Sequence, residues 1–137
     1  MQIFTSWSGT QSHKAALALK DWFETYFSDI TLFVSSEDIR KGRRWSLDMS
    51  GELEASNFGI VCLTPDNLQA PWILFESGAL SKKLKQASLC TLLLGGVKPS
   101  NVDGPLSHFQ HTIFEKEDVF KLVKDINECR TSEVASN

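Results

Sequence analysis

A single carboxylate lies in the apolar face of one predicted helix. Pro71 marks the first turn of this helix, which runs to about Gln86. Glu76 shares a face, at i, i+3, i+4, i+7 and i+8 spacing, with four apolar or aromatic residues, namely Trp72, Phe75, Ala79 and Leu80. Trp72 lies one turn before the carboxylate, so an aromatic plane and a carboxylate are presented side by side, which is one arrangement of a functional site. The alternative is that Glu76 lies at the edge of the stripe, where it reaches water or caps local backbone.

A second unusual segment is strongly basic. Four of the chain's 14 lysines and arginines fall within five positions, at Arg40, Lys41, Arg43 and Arg44. Such a loop can bind a phosphate-bearing ligand or an acidic protein face. A solvated loop without a ligand is the alternative that the pattern leaves open.

Other reactive residue types form no recognisable site. The three cysteines are far apart and lack CxxC spacing, which favours free thiols in a reduced, cytoplasmic protein. The histidines lack metal-ligand spacing, and Ser6 and Ser8 have no histidine partner for a hydrolase triad. No phosphate-binding glycine motif occurs, and the pair Gly95-Gly96 predicts a turn. We therefore expect neither a metal nor a bound cofactor.

The secondary structure that positions Glu76 and the basic loop is predicted from alternating strand and helix patterns in the sequence. Short apolar runs predict strands over residues 3–5, 30–34, 58–63, 89–94 and 112–114. Amphipathic spacing predicts helices over residues 12–27, 45–55, 71–86 and 116–129. This alternation predicts a three-layer, flavodoxin-like α/β fold, with a five-stranded parallel sheet in the order 2-1-3-4-5 and helices on both faces.

In such a sheet the ligand site lies at the carboxyl ends of the strands, where the strand order reverses. That point is between the first and third strands. The loop 6–9 follows the first strand, and the loop 64–70 follows the third and leads into the helix of Glu76. The basic loop, at 35–44, can close over the same edge.

Length and composition fit one globular domain. The chain has 137 residues, of which 42% are hydrophobic and 23% charged. No apolar run is long enough to span a membrane, no signal peptide is evident, and the net charge of −3 argues against direct nucleic-acid binding. We expect a domain over residues 1–130, with residues 131–137 as a flexible tail or the start of a linker.

Three motifs together resemble the Toll/interleukin-receptor (TIR) family. Phe4-Thr5-Ser6-Trp7 resembles the F-I-S-Y/W opening of TIR domains, and Ser36–Gly42 with Trp45 is similar to the long loop after the second strand in bacterial members. Trp72-Ile73-Leu74-Phe75-Glu76 matches the WxxxE signature of the enzymatic members. The resemblance covers roughly Met1 to Glu128. The loop lacks the proline-glycine pair of animal signalling members, which weakens an analogy with adaptors.

The resemblance implies an NAD+ nucleosidase or cyclase. Prokaryotic TIR domains cleave the nicotinamide–ribose bond, giving nicotinamide and ADP-ribose or a cyclic isomer, commonly in antiphage defence. Glu76 would be the catalytic residue, and NAD+ would be the substrate rather than a cofactor. The expected binding residues are Ser6, Trp7, Asp38, Arg40, Lys41, Arg43, Trp45 and Trp72.

The family chemistry suggests roles for these side chains. Trp7 and Trp72 would stack on nicotinamide or exclude water. The three basic residues, Arg40, Lys41 and Arg43, would contact the diphosphate, and Asp38 would bond a ribose hydroxyl.

Two other functions stay open. The chain could be a non-catalytic TIR module that assembles with other TIR domains through the basic loop. It could also be a nucleoside transferase-like enzyme, which would use a similar sheet and a glutamate. In the enzymatic case we also expect self-association, with activation by a sensor domain or protein.

Overall fold

A parallel sheet organises the chain in the computed structural model, which describes residues 1–7, 9–34, 56, 58–68, 89–102, 107 and 109–135. The five strands are β1 (Gln2–Ser6), β2 (Thr31–Val34), β3 (Phe58–Leu63), β4 (Leu89–Leu93) and β5 (Gln110–Ile113). Their order is β2-β1-β3-β4-β5, and every neighbouring pair is parallel. The predicted flavodoxin-like order is confirmed.

Two α-helices lie among the described residues, α1 (Thr10–Tyr26) and α2 (Lys116–Ala135). A short 3-10 helix covers Pro99–Asn101. No helix in the described part of the chain is long and apolar enough to cross a membrane. The helices predicted over 45–55 and 71–86 lie outside the described residues.

One face of the sheet packs against both helices. Leu19 and Phe23 of α1 and Leu122 and Ile126 of α2 belong to one buried cluster with strand residues such as Ile60. Alternate strand residues point to opposite faces, so this face takes every second residue of each strand. The amphipathic stripes found in the sequence are the reason that these helices pack here.

The opposite face of the sheet is also buried. Phe4, Val61 and Leu93 form a second cluster together with Val97 and Val102, which follow β4. All six residues of β3 are buried. A central strand buried on both faces reads as a continuous apolar run in the sequence, and its bounds are those predicted, 58–63.

The end of α2 differs from the expectation. The apolar stripe predicted a helix that ends at Cys129, with a small polar tail after residue 130, but α2 continues to Ala135. Residues 131–135 are therefore helical. Glu133 and Ala135 are residue types with high helix propensity, whereas the apolar periodicity of the sequence ends before them and so predicts an earlier helix end.

Candidate functional site

The switch point of the sheet lies between β1 and β3. β1 pairs with β2 on one side and with β3 on the other, and Ser6, the last residue of β1, is in register with Val61. Chain segments after β1 and β3 therefore leave the sheet at one shared edge. In an open parallel sheet this is the edge at which ligands bind.

Ser6 brings an unpartnered polar atom to this edge. Ser6 is 2% exposed. Within the part of the chain that the structure describes, neither Ser6 Oγ nor Thr5 Oγ1 has a hydrogen-bond partner. A buried hydroxyl without a partner costs free energy. Such a group at a ligand-binding edge is suited to bonding a ligand.

Helix α1 begins at Thr10, shortly after β1 ends at Ser6. Gly9 has φ of +90°, and no side chain caps the turn. Ser12 Oγ and the His13 amide both donate to the Gly9 carbonyl oxygen, at 3.1 and 3.0 Å. The first turn contains no acidic residue, so the positive end of the helix dipole stays uncompensated and favours an anion.

Trp7 is the second predicted binding residue that lies within the described part of the chain. It is 4% exposed and belongs to the core cluster under α1. Its ring stacks on His13 with centroids 3.8 Å apart and planes 15° from parallel. A ring that is buried and already stacked supports the wall of the site, so the geometry does not favour Trp7 as a stacking platform for nicotinamide.

Asn67 holds the loop after β3. Its Oδ1 accepts a hydrogen bond from the Thr64 amide at 2.8 Å, and its Nδ2 donates to the Cys62 carbonyl at 3.1 Å. Asn67 and Thr64 are each 1% exposed. Asn67 therefore fixes the path of residues 64–67 directly after β3, and this loop precedes Trp72 and Glu76 in the sequence. Asn67 is not among the site residues predicted from the sequence, although Thr-Pro-Asp-Asn is a composition typical of turns.

The loop after β4 lies against the loop after β3 and the first turn of α1. Gly95 and Gly96 have φ of +62° and +85°, which confirms the predicted turn. A Cβ on Gly95 would lie 2.8 Å from Gln11 Nε2 and 3.0 Å from Pro65 Cδ. Gly95 therefore permits the loops after β3 and β4 and the first turn of α1 to meet.

The remaining predicted site residues lie outside the described part of the chain. They are Asp38, Arg40, Lys41, Arg43, Trp45, Trp72 and Glu76. Of the predicted set the structure therefore places Ser6 and Trp7, one at the sheet edge and one in the core beneath it.

A cavity of about 460 Å³ lies between β5 and α2. His111 Nδ1 is 2.6 Å from Thr91 Oγ1. Burial lowers the pKa of His111 from its ordinary 6.5, against a hydrogen bond to the Ser107 backbone that raises it. The ring is therefore neutral at pH 7, as expected for a histidine with a structural role.

The two cysteines of the sheet, Cys62 and Cys90, are buried and unsuited to catalysis. Burial raises the pKa of the Cys62 thiol to about 12, and burial together with the Cys62 and Asp125 charges raises the pKa of Cys90 further. The thiolate is the reactive form, so both behave as small apolar residues. Within the described ranges, no group of three histidine, cysteine or acidic side chains could hold a metal ion.

Comparison with solved structures places this architecture among known folds. The crystal structure of a prokaryotic SEFIR domain matches with a TM-score of 0.60 and 14% identity, over 93% of this chain and 96% of that one. The chain has a TIR-like fold. No protein-family model matches the sequence, and no curated protein matches it significantly.

A nucleoside-handling enzyme has a related architecture. A 2-deoxyribosyltransferase from Bacillus psychrosaccharolyticus, described as a biocatalyst for nucleoside synthesis, matches with a TM-score of 0.50 and 13% identity. The match covers 87% of this chain and 90% of the transferase. Identities this low show a shared fold and leave activity to be argued from the site.

Proposed function

We propose that the chain is a TIR-type NAD+ nucleosidase that cleaves the nicotinamide–ribose bond. The observation that carries this proposal is the edge between β1 and β3, where the buried Ser6 hydroxyl, the uncapped start of α1 and the loops after β3 and β4 converge. The Trp72–Glu76 motif follows one of these loops along the chain. A TIR-like fold supports the same conclusion.

The bond that breaks joins the ribose C1′ to the pyridinium nitrogen. The electron pair of this bond stays with the nitrogen, so nicotinamide leaves as a neutral molecule and needs no acid. Positive charge develops on the ribose, as in glycoside hydrolysis. Water then attacks C1′ and releases a proton to the solvent, which gives ADP-ribose, while attack by a nucleophile within the same molecule gives a cyclic isomer.

This chemistry requires one well-placed carboxylate. In the proposal Glu76 stabilises the charge on the ribose or orients its hydroxyls, and Trp72 forms the neighbouring wall. Asp38 bonds a ribose hydroxyl, and Arg40, Lys41 and Arg43 neutralise the diphosphate. NAD+ is a substrate here, so no resident cofactor is required.

The described edge supports the substrate class. NAD+ combines a diphosphate with ribose hydroxyls. The first turn of α1 has no side-chain cap and no acidic residue, which suits an anion, and the unpartnered Ser6 Oγ suits a hydroxyl.

Incubation with NAD+ tests the proposal. Purified protein at high concentration, with a crowding agent, is expected to release nicotinamide, measured by chromatography. Activity is expected to need assembly through the basic loop, so specific activity should rise with protein concentration. The double variant Arg40→Glu/Arg43→Glu should suppress that rise, since it sets like charges against each other. Specific activity that is flat over a hundredfold dilution would contradict the assembly step.

A second candidate is transfer of a sugar between nucleobases. The fold similarity to a 2-deoxyribosyltransferase favours it, and both reactions break a bond between the C1′ atom of a sugar and a ring nitrogen. Adding a free nucleobase separates the two. A transferase forms a new nucleoside from a nucleoside donor, whereas an NAD+ nucleosidase releases nicotinamide without an acceptor. The biological setting implied by the resemblance, antiphage defence, belongs to the first proposal.

A further inference from the structure

An apolar groove runs between α1 and α2, over the face of the sheet that both helices cover. Its volume is about 1170 Å³. Four of the described residues that line it belong to the buried core, namely Leu19, Phe23, Leu92 and Leu122. The groove therefore reaches down to the core between the two helices. We call it the α1–α2 groove.

The upper walls of the groove combine projecting aromatic rings with small residues. The exposed fraction is 41% for Trp22 on α1, 59% for Phe114 after β5 and 70% for Phe120 on α2, and all three line the groove. Ala15 and Ala18 line it from α1. Exposed aromatic side chains gathered at one place indicate an interaction surface, and the alanines let another backbone approach closely.

The charge of the groove is opposite to that of the chain. Lys116, Lys121 and Lys124 line it from α2, and Glu117 is the carboxylate among the described lining residues, which leaves a net charge of +2. The whole chain has a net charge of −3. An apolar surface edged by lysines is complementary to a partner that is apolar on one side and acidic at its flanks.

The shape of the groove suits a helix. Its lining residues extend over 15–23 of α1 and 116–124 of α2, and nine residues of helix are about 12 Å long. Apolar side chains spaced i, i+4 and i+7 on a partner helix extend over about 10 Å. The walls are helices whose backbone groups are already bonded, so an extended segment would leave its own backbone unpaired, whereas a helix bonds its own.

We propose that the α1–α2 groove binds an acidic amphipathic α-helix of a partner protein. Its apolar side chains at i, i+4 and i+7 enter the groove, and its acidic side chains face Lys121 and Lys124. A second copy of the chain would bring the same lysines to the contact, and a lipid surface is flat where the groove is concave. The proposal does not depend on the enzymatic activity and uses none of the basic loop.

Fluorescence anisotropy with two labelled synthetic peptides tests the proposal. Both are about 15 residues long, so that helix can form, and both have leucines at i, i+4 and i+7. One has glutamates beside the leucines, and the other has lysines at the same positions. With up to ~200 μM chain, the acidic peptide is expected to bind with a dissociation constant of roughly 10–100 μM, and the basic peptide at least about tenfold more weakly. Added salt should reduce this difference.

Charge reversal connects the peptide preference to the groove. Lys121→Glu/Lys124→Glu is expected to bind the basic peptide better than the acidic one. Lys14→Glu/Lys98→Glu makes the same change in net charge at two exposed lysines that are not among the described lining residues. This control should keep the wild-type preference for the acidic peptide.

The apolar part of the contact is tested separately. Phe120→Asp should weaken binding of the acidic peptide at least about tenfold, because a projecting aromatic anchor is lost. Leu17→Asp is the matched control, since Leu17 is 47% exposed on α1 but is not among the described lining residues. It should bind the acidic peptide like the wild type. Circular dichroism checks that all variants fold.

Several outcomes would overturn the proposal. One is equal affinity of the wild type for the two peptides, and another is no binding of the acidic peptide at ~200 μM chain. A third is binding of the acidic peptide that survives both Phe120→Asp and Lys121→Glu/Lys124→Glu. Cosedimentation with phosphatidylserine vesicles is the final measurement. A chain that binds these vesicles through Phe120, but not the acidic peptide, has a lipid-binding surface there, which contradicts the proposal.

Discussion

Gly95 tests whether the loops at the sheet edge meet as described. Its φ of +62° is in the left-handed region, where a residue with a Cβ is less stable by about 1–2 kcal/mol. The added Cβ of Gly95→Ala would also lie 2.8 Å from Gln11 Nε2 and 3.0 Å from Pro65 Cδ. Gln11 can rotate away, but the Pro65 ring is held in its loop, so crowding should add about 1–3 kcal/mol.

Gly96→Ala supplies the control for backbone strain. Gly96 has a φ of +85°, but a Cβ there would have no neighbour within 4 Å. We therefore expect Gly96→Ala to lower the free energy of unfolding by about 1–2 kcal/mol and Gly95→Ala to lower it by at least about 1 kcal/mol more. Urea unfolding followed by tryptophan fluorescence measures both. Equal losses in the two variants would show that Pro65 and Gln11 are not close to Gly95.

Three further predictions concern buried or partly buried side chains of the described residues. Asn67→Ala should reduce the free energy of unfolding by about 2–3 kcal/mol, measured by urea unfolding, because two buried backbone groups lose their partner; an unchanged midpoint would contradict the role of Asn67. Because burial lowers the pKa of His111 below 6.5, the unfolded chain takes up the proton first, so stability is present above pH 6.5 and lost as the pH falls toward the folded pKa. The melting temperature should therefore fall less from pH 7 to pH 5 in His111→Gln than in the wild type. An equal fall of the melting temperature in both proteins would contradict the lowered pKa of His111. Cys62 and Cys90 should resist alkylation at pH 8 until the protein unfolds, and mass spectrometry showing rapid labelling of the native protein would refute their burial.

The apolar runs of the sequence are sufficient to predict the central strands of the sheet, because strands buried on both faces have a continuous apolar pattern. The runs at 58–63 and 89–94 became β3 and β4 with almost the same bounds. β5 was less clear, since Gln110 and His111 are partly exposed at the edge of the sheet and interrupt the apolar pattern. The end of α2 was misplaced because its last residues carry no apolar stripe.

The candidate site was harder to predict because residue types and spacing do not show which side chains are buried or already in contact. Asn67 acts on backbone atoms of its own loop, and nothing in its spacing distinguishes it from an ordinary turn residue. The buried Ser6 was selected by the motif that contains it, not by burial. Trp7 shares that motif, but only the position of His13 one turn into α1 shows that its ring is already covered. A side chain's availability to a ligand depends on three-dimensional packing, which a linear motif does not contain.

The release of nicotinamide from NAD+ by Glu76→Gln tests the central claim most directly. This substitution keeps the shape of the side chain and removes its charge, while Glu128→Gln makes the same change at an exposed position on α2. We predict nicotinamide release by the wild type and by Glu128→Gln at similar rates, with a fall of at least ~10²-fold in Glu76→Gln and an unchanged melting temperature. A folded Glu76→Gln protein that releases nicotinamide at the wild-type rate would contradict the proposed function of this site.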